Sequence, residues 1–135
     1  MTVAEVMVTD LITVGSDVGL KEAVDHMNSA HIRHLPVVRG DRLVGIVSDR
    51  DIRLFGMTMV GDTDGDLRFS IGVDVTVREV MQQDPVLIEP DVDVRDALDM
   101  MIDDRVGAIP VVDEDDRLLG IVSYVDMLKL LQDRL

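Results

Sequence analysis

The chain has 135 residues, 47% of them hydrophobic, with 27 acidic against 13 basic side chains, a formal charge of −14 and no cysteine. That length and hydrophobic share suit one globular unit able to bury roughly two thirds of its unfolded surface without disulfides. The charge repels nucleic acid and anionic membranes, one Tyr and two Phe make no stacking platform, and the missing cysteine removes thiolate zinc sites and Cys nucleophiles.

No apolar run approaches the ~18 to 20 residues needed to cross a bilayer, and Met1-Thr2-Val3-Ala4-Glu5 lacks the basic start of a signal peptide. A soluble cytoplasmic protein is expected. Lys21 and Lys129 are the only lysines and Asp greatly outnumbers Glu, a balance resembling proteins of salt-loving organisms. Such a surface self-repels at low ionic strength and is relieved by salt, since the Debye length is only ~3 Å at 1 M.

In chain order, Thr2-Val3-Ala4-Glu5 reads as a capping box that opens a short helix. The run Leu11 to Val14 reads as a short strand, and Leu20, Ala23, Val24, Met27 and Ala30 fall at helical spacing. Leu35 to Val38 and Leu43 to Val47 are then two strands around Arg39-Gly40-Asp41-Arg42, a hairpin with Gly at the turn. Pro36 belongs at a strand's first residue or edge, where no ladder N–H is required. Ser48 stops the second strand and caps a helix whose first turn carries Asp51.

The whole series then recurs. Thr76-Val77-Arg78-Glu79 is a second capping box, Val86 to Ile88 a short strand, and Val94, Ala97, Leu98 and Met101 a helical face. Ile109 to Val112 and Leu118 to Val122 form a hairpin around residues 113–116, with Pro110 placed as Pro36 is. Ser123 and Asp126 repeat Ser48 and Asp51. Gly45-Ile46-Val47-Ser48-Asp49-Arg50-Asp51 thus returns as Gly120-Ile121-Val122-Ser123-Tyr124-Val125-Asp126, and one extra residue in the second hairpin restores the register. The expected organisation is one unit over residues 1–54, a flexible, irregular join over 55–74 and a second unit over 75–135. A unit this small buries its apolar faces poorly alone, so two should pack together.

A helix start offers free N–H groups and partial positive charge, so Ser and Asp there suit a ligand with hydroxyls or phosphate. Capping alone also explains the pair, and for a single copy it is the simpler reading; duplication weakens it. In the join, Asp62, Asp64 and Asp66 have calcium-loop spacing, but Leu67 and Val73 stand where such a loop needs Gly and Glu, so a solvated loop is expected. The methionines read as core filler. The terminal helix, with Met127, Leu128, Leu130 and Leu131, is more apolar than one buried face requires. It is a candidate dimer contact unless both faces are buried internally. No Ser-His-Asp order, catalytic carboxylate pair, metal-spaced His cluster or P-loop stands out, so no catalysis and no metal are expected.

Two units each reading Val-Met, Asp, helix, Pro-Val-Val and Gly-Ile-Val-Ser-x-x-Asp resemble the CBS domain, named for cystathionine beta-synthase, as a tandem pair over nearly the whole chain. The resemblance implies an α+β fold of two beta-alpha-beta-beta-alpha units packed about a pseudo-twofold axis, commonly as a homodimer. It implies a stand-alone regulatory module binding adenosine-type ligands (AMP, ADP, ATP or S-adenosylmethionine) and reporting to an unidentified regulated protein. The alternative it leaves is a structural dimerisation scaffold with vestigial clefts.

Carried over residue by residue, one cleft joins Ile46, Ser48 and Asp51 with Val106, Gly107 and Ala108 beside the base, and with Arg33 and His34 on the phosphate. Asp51 accepts from the ribose diol by charge-assisted hydrogen bonds. The second cleft joins Thr13, Ile32, Arg33 and His34 with Ile121, Ser123 and Asp126. It departs from the pattern: bulky Arg33 and His34 stand beside the base, and Ala108 replaces the basic residue expected at the phosphate. The resemblance therefore implies unequal clefts, with Asp51 serving the nucleotide.

Overall fold

The computed structural model describes residues 1–55 and 75–135 together with the strands Met57–Met59 and Leu67–Phe69. In chain order the elements are β1 (Val14–Gly15), α1 (Leu20–Ala30), β2 (His34–Arg39), β3 (Arg42–Ser48), α2 (Asp49–Phe55), β4 (Met57–Met59), β5 (Leu67–Phe69), α3 (Val94–Asp104), β6 (Ala108–Val112), β7 (Leu118–Ser123) and α4 (Tyr124–Asp133). The fold is mixed α and β, as expected. Short 3₁₀ turns at Val3–Glu5 and Val77–Glu79 stand where the two capping boxes predict helices, each closed by a Glu carboxylate accepting from the backbone N–H of its Thr.

Two compact units divide the chain, and they do not coincide with the two repeats. Unit one comprises Met1–Leu11, Asp41–Leu43 and Pro85–Leu135; unit two comprises Ile12–Gly40 and Val44–Asp84. The opening segments are exchanged between repeats. Val3 is fully buried in unit one's core with Ile88, Ala97, Ile109, Val111 and Val122, while Val77 is fully buried in unit two's core with Val14, Leu20, Leu35 and Val47. Burying a side chain of this kind contributes about 1.5–3 kcal/mol, so each segment is a working part of the core it enters.

In unit two, β1, β2 and β3 form a sheet in that order, with β1 parallel to β2 and Val14 opposite Val37. Leu20, Ala23, Val24 and Met27 turn the predicted face of α1 into the core. The β2 to β3 turn uses Gly40 at φ 65°, a left-handed conformation that an L residue adopts only at a cost. The join, expected to be irregular, carries β4 antiparallel to β5, with Thr58 opposite Arg68. The calcium-like spacing at Asp62, Asp64 and Asp66 lies outside the described residues.

In unit one, β6 and β7 are antiparallel, with Pro110 opposite Ile121. Pro110 is an interior strand residue rather than the first. It costs no ladder bond, because Ile121 exchanges both its backbone bonds with Val8, at 2.9 and 3.0 Å. The predicted strand Val86 to Ile88 reduces to one parallel bridge between Ile88 and Val111. Leu98, expected on the buried face of α3, is 40% exposed, because Ala97 and Met101 fill the core side.

The motif glycines carry the tightest packing. A Cβ on Gly45 would lie 2.7 Å from the Gln82 carbonyl, and one on Gly120 would lie 2.7 Å from Met7 Sδ and 2.8 Å from the Val8 carbonyl. Gly45→Ala and Gly120→Ala should each destabilise their unit by about 1–3 kcal/mol, because backbone cannot yield as a side-chain end can. Gly15→Ala, where the nearest atom to a new Cβ is Val18 Cγ1 at 3.8 Å, should change little. Urea denaturation of the three variants checks this, and equal midpoints would refute it.

Candidate functional site

Ser48 ends β3 and Asp51 lies in the first turn of α2, so the strand delivers both side chains to one corner. Asp51 Oδ2 accepts from the Ser48 backbone N–H and from Ser48 Oγ, both at 2.9 Å, and Ser48 Oγ accepts the Asp51 N–H at 3.2 Å. Ser123 and Asp126 repeat the arrangement at the start of α4, with the corresponding bonds at 2.7, 3.0 and 3.4 Å. The cap is therefore real in both copies. It engages Oδ2 and leaves Oδ1 for other partners, so capping and ligand binding are compatible roles for one carboxylate.

What surrounds the cap differs. In unit two the Arg33 carbonyl accepts the Asp49 N–H at 3.0 Å, bringing the 31–34 turn against the start of α2. The Asp49 carboxylate has Arg33 Nη1 at 3.9 Å and Arg53 Nη2 at 3.5 Å. Such partly exposed pairs contribute only ~0–1 kcal/mol, and they set both guanidinium groups against Asp49, two residues before Asp51. His34 is half-buried at the same corner. Its pKa lies below the ordinary 6.5 because burial disfavours the cation, with Asp49 and Asp51 pulling the other way. Gln82 Nε2 donates to Asp51 Oδ1 at 3.4 Å. Thr13, just before β1, and Ile32, packed against the core, also belong to unit two, and Ile46 is buried in β3.

In unit one the same framework recurs with another lining. The Gly107 carbonyl accepts the Tyr124 N–H at 2.9 Å, the counterpart of the Arg33 to Asp49 bond. By the repeat register, Gly107, Ala108, Tyr124, Leu128 and Val8 replace Arg33, His34, Asp49, Arg53 and Gln82. Val106 and Gly107 are half-buried and Ala108 is buried, leading into Ile109; Ile121 is half-buried in β7. Sequence reasoning missed Asp49 and Gln82. Asp49 stands at a variable position of the motif, and Gln82 reaches the site only through tertiary pairing with Ile46. Among the described residues no group of three His, Asp or Glu could hold a metal ion, and no helix is long and apolar enough to cross a membrane.

The family model described as CBS domain matches residues 3–57 and 77–133. The chain is 36% identical over 128 residues to an inosine-5'-monophosphate dehydrogenase of Methanocaldococcus jannaschii, a match over 93% of this chain but 22% of the relative. It is 35% identical over 130 residues to a CBS domain-containing protein of Dictyostelium discoideum, covering 96% of this chain and 90% of that one. Among solved structures, a CBS domain pair in complex with 5'-methylthioadenosine and S-adenosyl-L-methionine superposes with a TM-score of 0.79 at 25% identity, over 97% of this chain and 99% of the other. The chain thus spans about a fifth of the dehydrogenase, and that enzyme's activity does not come with the match.

The depressed pKa of His34 has a sign. The folded state binds fewer protons here than the unfolded state, so His34 costs nothing above pH ~6.5 and increasingly destabilises the fold as pH falls below it. Glu5 and Glu79, each lowered from 4.5 chiefly by the backbone N–H of Thr2 and Thr76, add a separate loss below that value. Melting temperatures between pH 7.5 and 5.5 should fall for the parent and fall less for His34→Gln. Identical slopes would contradict this placement of His34.

Proposed function

The chain belongs to the CBS domain family, as a tandem pair, and on that premise we propose that it is a ligand-sensing regulatory module, not an enzyme, that binds an adenine nucleotide at Asp51. One observation carries the reading: the cap leaves Asp51 Oδ1 outside its hydrogen bonds, while Arg33 and Arg53 pair with Asp49 in the same first turn of α2. A carboxylate oxygen facing a ribose diol accepts charge-assisted hydrogen bonds of roughly 1.5–3 kcal/mol each. A phosphate needs local cations all the more because the whole chain, at −14, opposes an anion. A CBS domain pair of similar fold was solved with two adenosine-type ligands, which supports the ligand class. In the repeat register Gly107, Ala108 and Leu128 stand where the copy with Asp51 has Arg33, His34 and Arg53, and on that asymmetry we assign the nucleotide to Asp51 alone.

A second reading, a homodimeric scaffold, is favoured by the outer face of α4, where Leu128 is 57% and Leu131 55% exposed. Internal burial of both faces, one sequence alternative, does not occur. We propose that this face joins two copies, a role compatible with sensing. Sedimentation at tens of micromolar in salt-matched buffer should give a dimer and Leu128→Glu a monomer; a monomeric parent would exclude it.

The two functions separate on ligand response. A sensor at a hundredfold excess of AMP over Kd gains ~2.7 kcal/mol, whereas a scaffold with vestigial clefts gains nothing. Calorimetry should show Asp51→Ala losing most AMP affinity and Asp126→Ala retaining it. Arg33→Ala should weaken AMP more than adenosine, since it removes a phosphate partner and leaves the diol contact. Equal losses for the two Asp variants would mean symmetric sites.

A further inference from the structure

Gln82 reaches the motif carboxylate from outside the motif. Its backbone is held against β3 by two bonds, Gln82 N–H to the Ile46 carbonyl at 2.8 Å and Ile46 N–H to the Gln82 carbonyl at 3.1 Å. The missing Cβ of Gly45 permits this approach, since that atom would meet the same carbonyl at 2.7 Å. So anchored, the side chain donates from Nε2 to Asp51 Oδ1 at 3.4 Å. Unit one repeats the frame with Val8 bonded to Ile121 and Gly120 beneath it, but an isopropyl group replaces the amide. The two units thus form an internal comparison: one backbone, one capped Asp in each, and a carboxylate oxygen steered by an amide in only one of them.

We propose that Gln82 is a positioning residue that sets ribose selectivity at Asp51. Ser48 fixes Oδ2 and Gln82 fixes Oδ1, so the carboxylate plane is held from both sides before a ligand arrives. A carboxylate gripped at one oxygen must surrender rotation when a diol binds; one gripped at both has already done so. Oδ1 keeps a lone pair after accepting from Gln82, and the Gln82 amide oxygen is a further acceptor beside it, so a hydroxyl donor meets two acceptors in fixed positions. The inference rests on the reading of Asp51 as the diol acceptor and adds the group that makes that acceptor discriminate.

Gln82→Val gives unit two the side chain that unit one already accommodates in the same frame, so the fold should hold and its melting temperature should stay near the parent's. Calorimetry with AMP and 2'-deoxy-AMP as probes then reads the effect. The parent should prefer AMP. Gln82→Val should lose about three- to tenfold in AMP affinity, the worth of one modest hydrogen bond, with a smaller loss for 2'-deoxy-AMP, so that the preference narrows. Gln82→Glu, which sets a second carboxylate against Asp51, should lose more. An unchanged AMP to 2'-deoxy-AMP ratio in Gln82→Val overturns the role of Gln82 while leaving Asp51 as acceptor. A parent that does not distinguish the probes, or binds neither, overturns the Asp51 reading and this inference with it.

Discussion

The close approach of one chain segment to each motif glycine is the constraint on which the rest of the molecule depends. With any side chain at position 45 or 120, the segment at Met81 and Gln82, or at Met7 and Val8, could not lie against the strand that carries the motif. That contact holds the strand's edge, and the strand in turn delivers Ser48 or Ser123 to the start of a helix, where the serine binds its Asp. The glycine in Gly-Ile-Val-Ser-x-x-Asp is thus a packing requirement, whereas the Ser and Asp are both structural and chemical. Selection for the fold alone would preserve all three, which is why the motif by itself does not identify a ligand.

Function is distinguished by what each frame supports. The unit that carries Asp51 also carries Arg33, His34, Asp49, Arg53 and Gln82; at the corresponding positions of the repeat, the unit that carries Asp126 has Gly107, Ala108, Tyr124, Leu128 and Val8. The backbone bonds that position these residues are equivalent, Arg33 to Asp49 in one unit and Gly107 to Tyr124 in the other. Duplication has preserved the scaffold and freed the lining. Substitutions among the lining residues cost little stability because most are partly or fully exposed, so one copy could become polar and cationic while the other became apolar. The carboxylate that caps a helix with one oxygen can meet a ligand with the other, so binding does not have to undo the cap.

Much of this was legible in the sequence because it is local. Helical spacing placed Leu20, Ala23, Val24 and Met27 on the core face of α1, and Ser48 and Ser123 ended their strands where a cap was required. Arg33 and His34 could be tied to Asp51 only through the family pattern; they lie in its unit, whereas Val106, Gly107 and Ala108, tied to it in the same way, lie in the other. What was not legible depends on distant pairing. The exchange of the opening segments, Val3 into unit one and Val77 into unit two, leaves no local signature, since either repeat offers a matching apolar pocket. Gln82 looks like a polar loop residue until its bridge to Ile46 is known. Leu98 fits the helical period as well as Ala97 does, and only the small space beneath α3 decides which of them turns inward.

The central claim is that one framework, used twice, binds a nucleotide on one side only. A crystal structure of the protein grown with AMP tests it most directly. The account predicts one AMP per chain, with its ribose hydroxyls on Asp51 Oδ1 beside Gln82 and its phosphate at Arg33 and His34. Ribose on Asp126, equal occupancy at both carboxylates, or no bound AMP at saturating concentration would contradict it.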